Sequence, residues 1–184
     1  MIYPIVAFGT PVLKKKAVAI SKDHAGLAEI IANMYETMKD ANGVGLAAPQ
    51  VGLSIRLFVT DGSSLDKPEV KDFRQVFINA VIETELGDDW PYNEGCLSIP
   101  GIREDVKRKE KISIRFFDEK FREHKKEYSG IAARIIQHEY DHIEGILFTD
   151  RLSPLRKRLL KNRLLEVSRG IVDVDYKMKF PNKK

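Results

Sequence analysis

The chain has 184 residues, of which 43% are hydrophobic and 32% are charged, and its formal net charge is +4 at neutral pH. This length suits a single domain over residues 1–184, and no stretch approaches the roughly 20 consecutive apolar residues that span a bilayer. The first residues lack the features of a secretory signal, so we expect a cytoplasmic protein. One cysteine excludes an intramolecular disulfide.

The first half of the chain predicts one helix and two strands. Apolar residues recur at three- and four-residue steps from Asp23 to Asp40, the period of an amphipathic helix. Residues 55–60 and 76–85 are rich in β-branched and aromatic residues and are predicted strands. The polar segment 61–74 between them is expected to be an exposed loop, and Trp90-Pro91-Tyr92 a turn.

The second half predicts a hairpin and two helices. Residues 111–118 and 121–128 are the expected hairpin strands, turning near residues 118–120. Ser129 is a plausible N-cap for a helix that Gly145 ends. Three further signals follow in the sequence: Ser153-Pro154 begins a helix over about 154–169, Gly170 follows it, and the alternating tail at 171–180 favours a strand.

The predicted helix after Ser129 contains the run His138-Glu139-Tyr140-Asp141-His142. Residues four apart lie one above the other on the same helix face, so both imidazoles can reach a single metal ion. Glu139 lies about 100° round the helix from His138, where it can act on a water molecule without ligating the metal. Two surface histidines spaced by chance are the alternative explanation.

Two histidines leave a metal ion short of ligands. A structural zinc site is closed by four protein ligands, whereas a catalytic site uses three and keeps an open position. One cysteine and four histidines in the whole chain fit the catalytic set better. Cys96, in the run Glu94-Gly95-Cys96-Leu97-Ser98, is the preferred third ligand, with a buried small hydrophobe as the alternative. The Leu97 amide could donate to a bound carbonyl.

A third block is the glycine-rich run Gly-Val-Gly-Leu-Ala-Ala-Pro-Gln at residues 43–50. Taken alone it is as consistent with a structural turn as with a functional loop. It lacks the Lys-Ser/Thr ending of a phosphate-binding loop. Its last residue, Gln50, is a neutral donor that can hydrogen-bond a developing oxyanion.

Together the three blocks resemble, in the same order, the signature motifs of bacterial-type peptide deformylases, and the resemblance covers most of the chain. It implies removal of the formyl group from the N-terminal formylmethionine of new bacterial proteins. It also implies Fe²⁺ as the usual metal, with Ni²⁺, Co²⁺ or Zn²⁺ as substitutes. The site residues that it implies are Cys96, His138 and His142 as metal ligands, Glu139 as general acid and base, and Gln50 with the Leu97 amide as the oxyanion site.

The expected fold is α+β, with antiparallel strands packed around a central metal-binding helix and a C-terminal helix, followed by an extended tail over 171–184. The methionine side chain of the substrate needs an apolar pocket, and the substrate backbone needs strand-like pairing. We expect Arg134 to edge this pocket with its stem while its charged head stays in solvent. The expected substrate-binding residues are Val44, Gly45, Gly95, Ile131, Arg134 and Ile135.

Basic residues concentrate between Arg151 and Arg169, where Glu166 is the only acidic residue. A solvated helix face and a docking surface for an acidic partner both explain such a run. We expect contact with the ribosome, because the substrate emerges there and ribosomal RNA is rich in phosphates. Neither a membrane nor DNA is an expected partner. The expected contact residues are Arg156, Lys157, Lys161 and Arg163. In the alternative of a solvated face, the helix simply packs one side inward through Leu155, Leu159, Leu160 and Leu164.

Two other functions compete with deformylation. A zinc endopeptidase of the His-Glu-x-x-His type needs a third glutamate or histidine ligand after His142. No histidine follows, Glu144 is too near, and Glu166 is the one other glutamate there. The second competitor is a non-enzymatic ribosome-associated protein with a structural metal.

The tail after Gly170 extends beyond the helical ending common in the family and leaves the subtype open.

Overall fold

The computed structural model describes residues 1–181 and combines antiparallel sheet with helices. Its larger sheet has five antiparallel strands in the order β2-β3-β4-β5-β6, and β1 pairs with β7 in parallel. The strands are β1 (Ile5–Val6), β2 (Gly45–Ala47), β3 (Leu57–Asp61), β4 (Arg74–Cys96), β5 (Ile99–Phe117), β6 (Glu123–Ser129) and β7 (Met178–Lys179). The α-helices of the described residues are α1 (Leu27–Asp40), α2 (Gly130–Ile143) and α3 (Pro154–Arg169). This arrangement confirms the predicted α+β class.

The first helix starts later than predicted. It begins at Leu27 rather than Asp23, because Gly26 has a φ of +70°, a left-handed conformation that interrupts a right-handed helix. The buried face of α1 packs on the strands β2, β3 and β4 in one apolar cluster. The members of this cluster from α1 and the strands include Leu27, Ile31, Met34, Met38, Leu46, Leu57, Val59 and Ile78.

Strands β4 and β5 form a long hairpin, and both strands are longer than predicted. The predicted strand 76–85 lies inside β4, which continues to Cys96, so the expected turn at Trp90-Pro91-Tyr92 is wrong. Strand β3 pairs with β4 only from Arg74 to Ile78, and beyond that point Pro91 can occupy an open strand edge. Register shifts along the β4–β5 pair mark bulges, which allow such a long ribbon to bend.

The first half of β5 was not predicted at all, although it alternates in burial as a strand should. Ile102, Glu104, Val106 and Arg108 are buried, and the residues between them are exposed. Two of the four inward positions carry charged side chains, which hid the apolar alternation from sequence reasoning. The second half of β5 and strand β6 form the predicted hairpin, with residues 118–122 as its turn.

Helix α2 lies across the sheet and provides the central helix of the fold. Ser129 precedes it as predicted, although no capping hydrogen bond from its side chain occurs within the described residues. Gly145, with a φ of +75°, follows its end. The buried side of α2 packs through Ala133, Ile136 and Ile143 against aromatic residues of the strands. These aromatic residues include Phe58, Phe77 and Phe116.

Helix α3 is the predicted C-terminal helix. The Ser153 hydroxyl accepts a hydrogen bond from the Arg156 amide at 3.3 Å, and Gly170 has a φ of +78° at the other end. The prediction for its apolar face is partly wrong, because Leu155 and Leu159 are 66% and 60% exposed. The inward stripe is formed by Leu160, Leu164 and Val167, at the i, i+4, i+7 spacing of one helix face.

The tail after α3 alternates in burial as its sequence does. Within residues 171–180 the half-buried residues are Val172, Val174, Tyr176, Met178 and Phe180. Among the described residues of this tail, only Met178–Lys179 forms a strand, which pairs with the buried strand Ile5–Val6. Residues 182–184 of the predicted tail lie outside the described residues. Within residues 1–181, no helix is long and apolar enough to cross a membrane.

Candidate metal centre and active site

The three predicted ligand side chains converge on one point. Cys96 is the last residue of β4, and His138 and His142 lie one turn apart in α2. One ligand atom from each lies within 4.8 Å of the other two, and the Cys96 Sγ is 3.3 Å from the His142 Nε2. Donors at these separations fit one ion held at roughly 2.0–2.3 Å by nitrogen and sulfur. Within residues 1–181 this is the one cluster of Cys, His, Asp and Glu side chains that meets this geometry.

Glu94 orients His138 from behind. Its Oε2 accepts a hydrogen bond from the His138 Nδ1 at 2.9 Å, which leaves Nε2 as the ring nitrogen that turns to the metal position. Glu94 belongs to the Cys96 motif, but its role was not predicted from the sequence. The available signal was its place near Cys96, because metal-bound histidines commonly donate their second N–H to a carboxylate.

Two buried arginines neutralise Glu94. Arg108 donates to it from Nε at 2.7 Å and from Nη2 at 2.9 Å, and Arg134 donates from Nη1 at 2.9 Å. Burial by itself raises the pKa of Glu94, but hydrogen bonds from Arg108 and His138 hold that pKa well below its usual range. The carboxylate therefore stays ionised and fixes the ring of His138.

Asp141 binds the other side of Arg108 and takes no part in the ligand cluster. Its Oδ2 accepts from the Arg108 Nη1 at 2.7 Å and from the Arg151 Nε at 2.6 Å. The network thus ties α2 to β4 and β5 through groups that are 4% exposed or less, except Arg151. Glu144, one of the two glutamates that follow His142 and could be a third ligand in an endopeptidase, forms an ion pair with Lys16.

The head of Arg134 is not in solvent, and that prediction is wrong. The residue is 2% exposed, and its guanidinium donates to Glu94, to the Val106 carbonyl at 3.0 Å and to the Trp90 carbonyl at 2.6 Å. The guanidinium also lies 4.5 Å from the centre of the Trp90 ring, a cation–π contact. These acceptors belong to strands distant in sequence, so the local rule that arginine heads reach water did not apply.

Glu139 is a buried acid at the floor of the cleft. It is 4% exposed, and its Oε2 has no hydrogen-bond partner within the described chain. Burial raises its pKa to about 7, which suits a group that must accept and return a proton near neutral pH. A Cβ atom at Gly45 would collide with the Glu139 carboxylate, so any larger residue at this position would require Glu139 to move.

The two histidines differ in their electrostatics. Burial and the neighbouring His138 lower the pKa of His142 well below its ordinary value, so its ring is neutral and ready to bind a metal ion. Burial also lowers the pKa of His138, but hydrogen bonds with Cys96 and Glu94 outweigh this effect and raise it to about 10. Metal binding must therefore displace a proton from His138.

Gln50 and Leu97 lie beside the ligand cluster. Gln50 is in a short 3₁₀ helix, Ala48–Val51, and its side-chain carbonyl accepts from the Ala47 amide at 2.8 Å. This bond aims the Gln50 Nε2 inward, where it lies 3.5 Å from the Cys96 Sγ. Leu97 is the first residue of the two-residue turn that follows Cys96.

A cleft of about 580 Å³ opens over these groups. It is lined by every substrate-binding residue predicted from the sequence, together with the predicted catalytic residues and two of the three ligands. These lining residues are Val44, Gly45, Gly95, Ile131, Arg134 and Ile135, with Gln50, Leu97, Glu139, Cys96 and His138. His142 lies behind the cleft and is 1% exposed. Sequence reasoning missed three tail residues in the lining, Asp173, Val174 and Tyr176.

A soft thiolate, two imidazoles and a buried acid beside an open cleft are the components of a metal-dependent hydrolase. Comparisons with known proteins agree with this class. The family model described as polypeptide deformylase matches residues 2–158. A peptide deformylase of Cytophaga hutchinsonii is 56% identical over 184 residues, covering 100% of both chains. The chain belongs to the polypeptide deformylase family.

Solved structures agree with the fold. A crystal structure of a peptide deformylase from Legionella pneumophila superposes with a TM-score of 0.81 at 36% identity, covering 93% of this chain and 98% of that one. A plant peptide deformylase gives a TM-score of 0.83 at 32% identity, with 92% and 90% covered. The family and enzyme class predicted from the three motifs are confirmed, and they favour deformylation over the endopeptidase and the non-enzymatic alternative.

Proposed function

We propose that Cys96, His138 and His142 hold the metal ion with which this enzyme removes the formyl group from N-terminal formylmethionine, releasing formate. Family membership supports the reaction. The convergence of the three ligand atoms beside a buried acid is the observation that carries the assignment of residues. When bound, the ion supplies a Lewis acid that polarises the formyl carbonyl and makes water more acidic.

Glu139 is the proposed general base and general acid. It takes the proton of the attacking water and returns it to the leaving amine nitrogen. A pKa of about 7 divides this acid between its two protonation states near neutral pH, as both transfers require. Glu94 keeps the neighbouring ligand His138 in one orientation while the proton moves.

The formyl oxygen gains negative charge as water adds to the carbonyl carbon. We assign its stabilisation to the Gln50 Nε2 and the Leu97 amide N–H. Gln50 is held by Ala47 before the substrate arrives, so its donor needs little reorganisation. The methionine side chain is assigned to the apolar surface formed by Val44, Ile131 and Ile135, which pack in one cluster.

Gly45 and Gly95 are the proposed backbone contacts for the substrate peptide. Both lie on the cleft, Gly45 at the start of β2 and Gly95 near the end of β4, where an extended chain can pair with strand edges. Arg134 edges the pocket through its carbon stem and its main task is to hold Glu94.

We propose Fe²⁺ as the physiological metal, with Ni²⁺, Co²⁺ or Zn²⁺ able to substitute. The donor set of one thiolate and two imidazoles suits these ions better than Mg²⁺ or Ca²⁺. Activity of the iron-loaded enzyme should decay in air faster than that of the nickel or zinc forms, because iron and the thiolate are both open to oxidation. Equal lifetimes in aerated buffer would count against iron.

Glu139→Gln tests the mechanism, since the amide preserves the shape of the carboxylate but cannot transfer the proton. Formate release from a formylmethionyl peptide should fall by about 10² or more while the metal content is unchanged. Glu29→Gln, on an exposed position of α1, is the control and should match the wild type. Wild-type turnover by Glu139→Gln would refute the role. Cleavage at internal peptide bonds would instead favour the endopeptidase.

The enzyme is proposed to act in the cytoplasm on chains emerging from the ribosome, with α3 contacting ribosomal RNA. Arg156 is engaged by Glu104, with its Nε 2.9 Å from the Oε2, and Arg163 donates to the Gly101 carbonyl. Lys157 and Lys161 form no ion pair within the described residues and flank an apolar groove. These two lysines are therefore the first choice for phosphate contacts, which salt should weaken.

Charge reversal at Lys157 and Lys161 tests this contact. Co-sedimentation with ribosomes should weaken while turnover of a free formyl peptide is retained. The matched control reverses Lys22 and Lys39, which lie elsewhere on the surface. Unchanged co-sedimentation of the α3 variant would remove the docking proposal and leave α3 as a solvated face.

A further inference from the structure

The tail after α3 passes along the rim of the active-site cleft. Val172 and Met178 pack against the cluster beneath α3, and Tyr176 packs against the cluster beneath α1. Between these two anchors, Asp173 and Val174 line the cleft together with Tyr176. A stretch with no part in any of the three motifs thus forms one wall of the site.

Tyr176 makes a specific contact there. Its hydroxyl donates to the Leu97 carbonyl at 2.8 Å. Leu97 and Ser98 form the whole connection between β4 and β5, since Cys96 and Ile99 are the last paired residues of the hairpin. The tyrosine therefore binds the turn that carries the proposed oxyanion donor.

This turn needs support from outside. Two-residue turns that match the twist of a hairpin have a positive φ at their first residue, which is why glycine or asparagine is common there. Neither Leu97 nor Ser98 has a positive φ. Two other contacts hold the turn from the Ser98 side: the Phe8 amide donates to its carbonyl at 2.9 Å, and the Gln50 Nε2 lies 3.4 Å from its Oγ. On the Leu97 side, the Tyr176 hydroxyl satisfies the carbonyl.

We propose that Tyr176 is a positioning residue for deformylation, whose hydroxyl fixes the Leu97 turn so that the Leu97 N–H faces the formyl oxygen. The proposal rests on the oxyanion role assigned to Leu97 above. It makes the tail a working part of the substrate site as well as a packing element.

The expected effect falls on turnover. Negative charge on the formyl oxygen develops only in the transition state, so a misaligned donor lowers kcat and leaves KM nearly unchanged. Complete loss of such a donor reduces kcat by about 10²–10³. In Tyr176→Phe the Leu97 N–H is still present but less firmly held, so we expect a smaller loss, on the order of tenfold.

The experiment compares Tyr176→Phe with Tyr3→Phe in the metal-loaded, full-length enzyme. Tyr3 packs against the same cluster as Tyr176, and its hydroxyl accepts one hydrogen bond, from the Asn33 Nδ2 at 3.3 Å. Both variants keep the ring and lose one hydroxyl, so a general effect on packing should appear in both. Steady-state kinetics on a formylmethionyl dipeptide, thermal unfolding and metal content are measured for each.

A tenfold lower kcat in Tyr176→Phe, with KM, metal content and unfolding temperature equal to those of Tyr3→Phe, is the expected result. A kcat equal to that of Tyr3→Phe overturns the proposal, as does a loss confined to KM or explained by lost metal. The wild type in the same assay separates this inference from the proposed function. An inactive, metal-loaded wild type would contradict the function, whereas an active wild type with an equally active Tyr176→Phe contradicts only the role of the tyrosine.

Discussion

Replacing Glu94 by glutamine should damage stability and metal binding together. The carboxylate is 4% exposed and accepts four hydrogen bonds, two from Arg108, one from Arg134 and one from His138. The amide of glutamine has a similar shape, but its NH₂ group would face one of these donors and the negative charge would be lost. Two buried guanidinium groups would then be only partly compensated.

The magnitude follows from burial. Breaking a buried ion pair by removing one partner destabilises a protein by about 3–5 kcal/mol. Arg108 keeps Asp141 and Arg134 keeps two strand carbonyls, so we expect the lower end of this range, about 3 kcal/mol. Loss of the carboxylate that orients a metal-bound histidine reduces metal affinity by about 10- to 100-fold.

Glu104→Gln is the matched control. Glu104 is the register partner of Glu94 across the β4–β5 pair, but it binds Arg156, whose side chain is 52% exposed. Its replacement should cost about 1 kcal/mol or less and leave metal affinity unchanged. Urea unfolding with a chelator present measures the loss of stability, and metal titration measures the change in metal affinity. Equal unfolding midpoints for the two variants, or wild-type metal affinity in Glu94→Gln, would refute the reasoning.

Two further predictions concern Cys96 and Asp118. Cys96→Ser should lose most of its metal and its formate release, because an un-ionised hydroxyl is a poor ligand, and full metal content with full turnover would disprove the ligand assignment. Asp118 accepts from Lys120, Arg122 and His124, and these bonds outweigh burial and hold its pKa well below the usual range. Its stabilising effect is therefore complete above about pH 4 and is lost as the pH falls further, through the lowered pKa. The gap in urea midpoint between wild type and Asp118→Asn should narrow below pH 4, and a gap constant from neutral pH downwards would contradict it.

Features encoded by neighbouring residues could be predicted from the sequence. The helix that carries His138 and His142 follows from an apolar period and a terminal glycine, and the spacing of the two rings follows from helix geometry alone. The start of α3 follows from Ser153 and Pro154. Each of these signals lies within a few residues of its effect.

Features that depend on distant partners could not be predicted. The apolar–polar alternation typical of a strand is interrupted in β5, because Glu104 and Arg108 occupy inward positions. Charged residues are buried in this way only when they have partners elsewhere in the fold. The partners of Glu94 lie 14, 40 and 44 residues away in the chain. The contact of Tyr176 with Leu97 spans 79 residues. No pattern among neighbouring residues predicts such long-range contacts.

The buried charged groups around Glu94 are best explained by their effect on the position of helix α2 relative to strand β4. Two of the proposed ligands come from α2, but the third comes from β4 and lies 46 residues away from His142, so the three side chains meet only when α2 is held in one position relative to β4. Apolar packing alone would tolerate small shifts of a helix on a sheet, because hydrophobic contacts are not directional. The bonds that join Glu94, Arg108 and Asp141 are directional, and a shift of α2 would leave buried charges unpaired. The network therefore fixes the distance between Cys96 and the histidines.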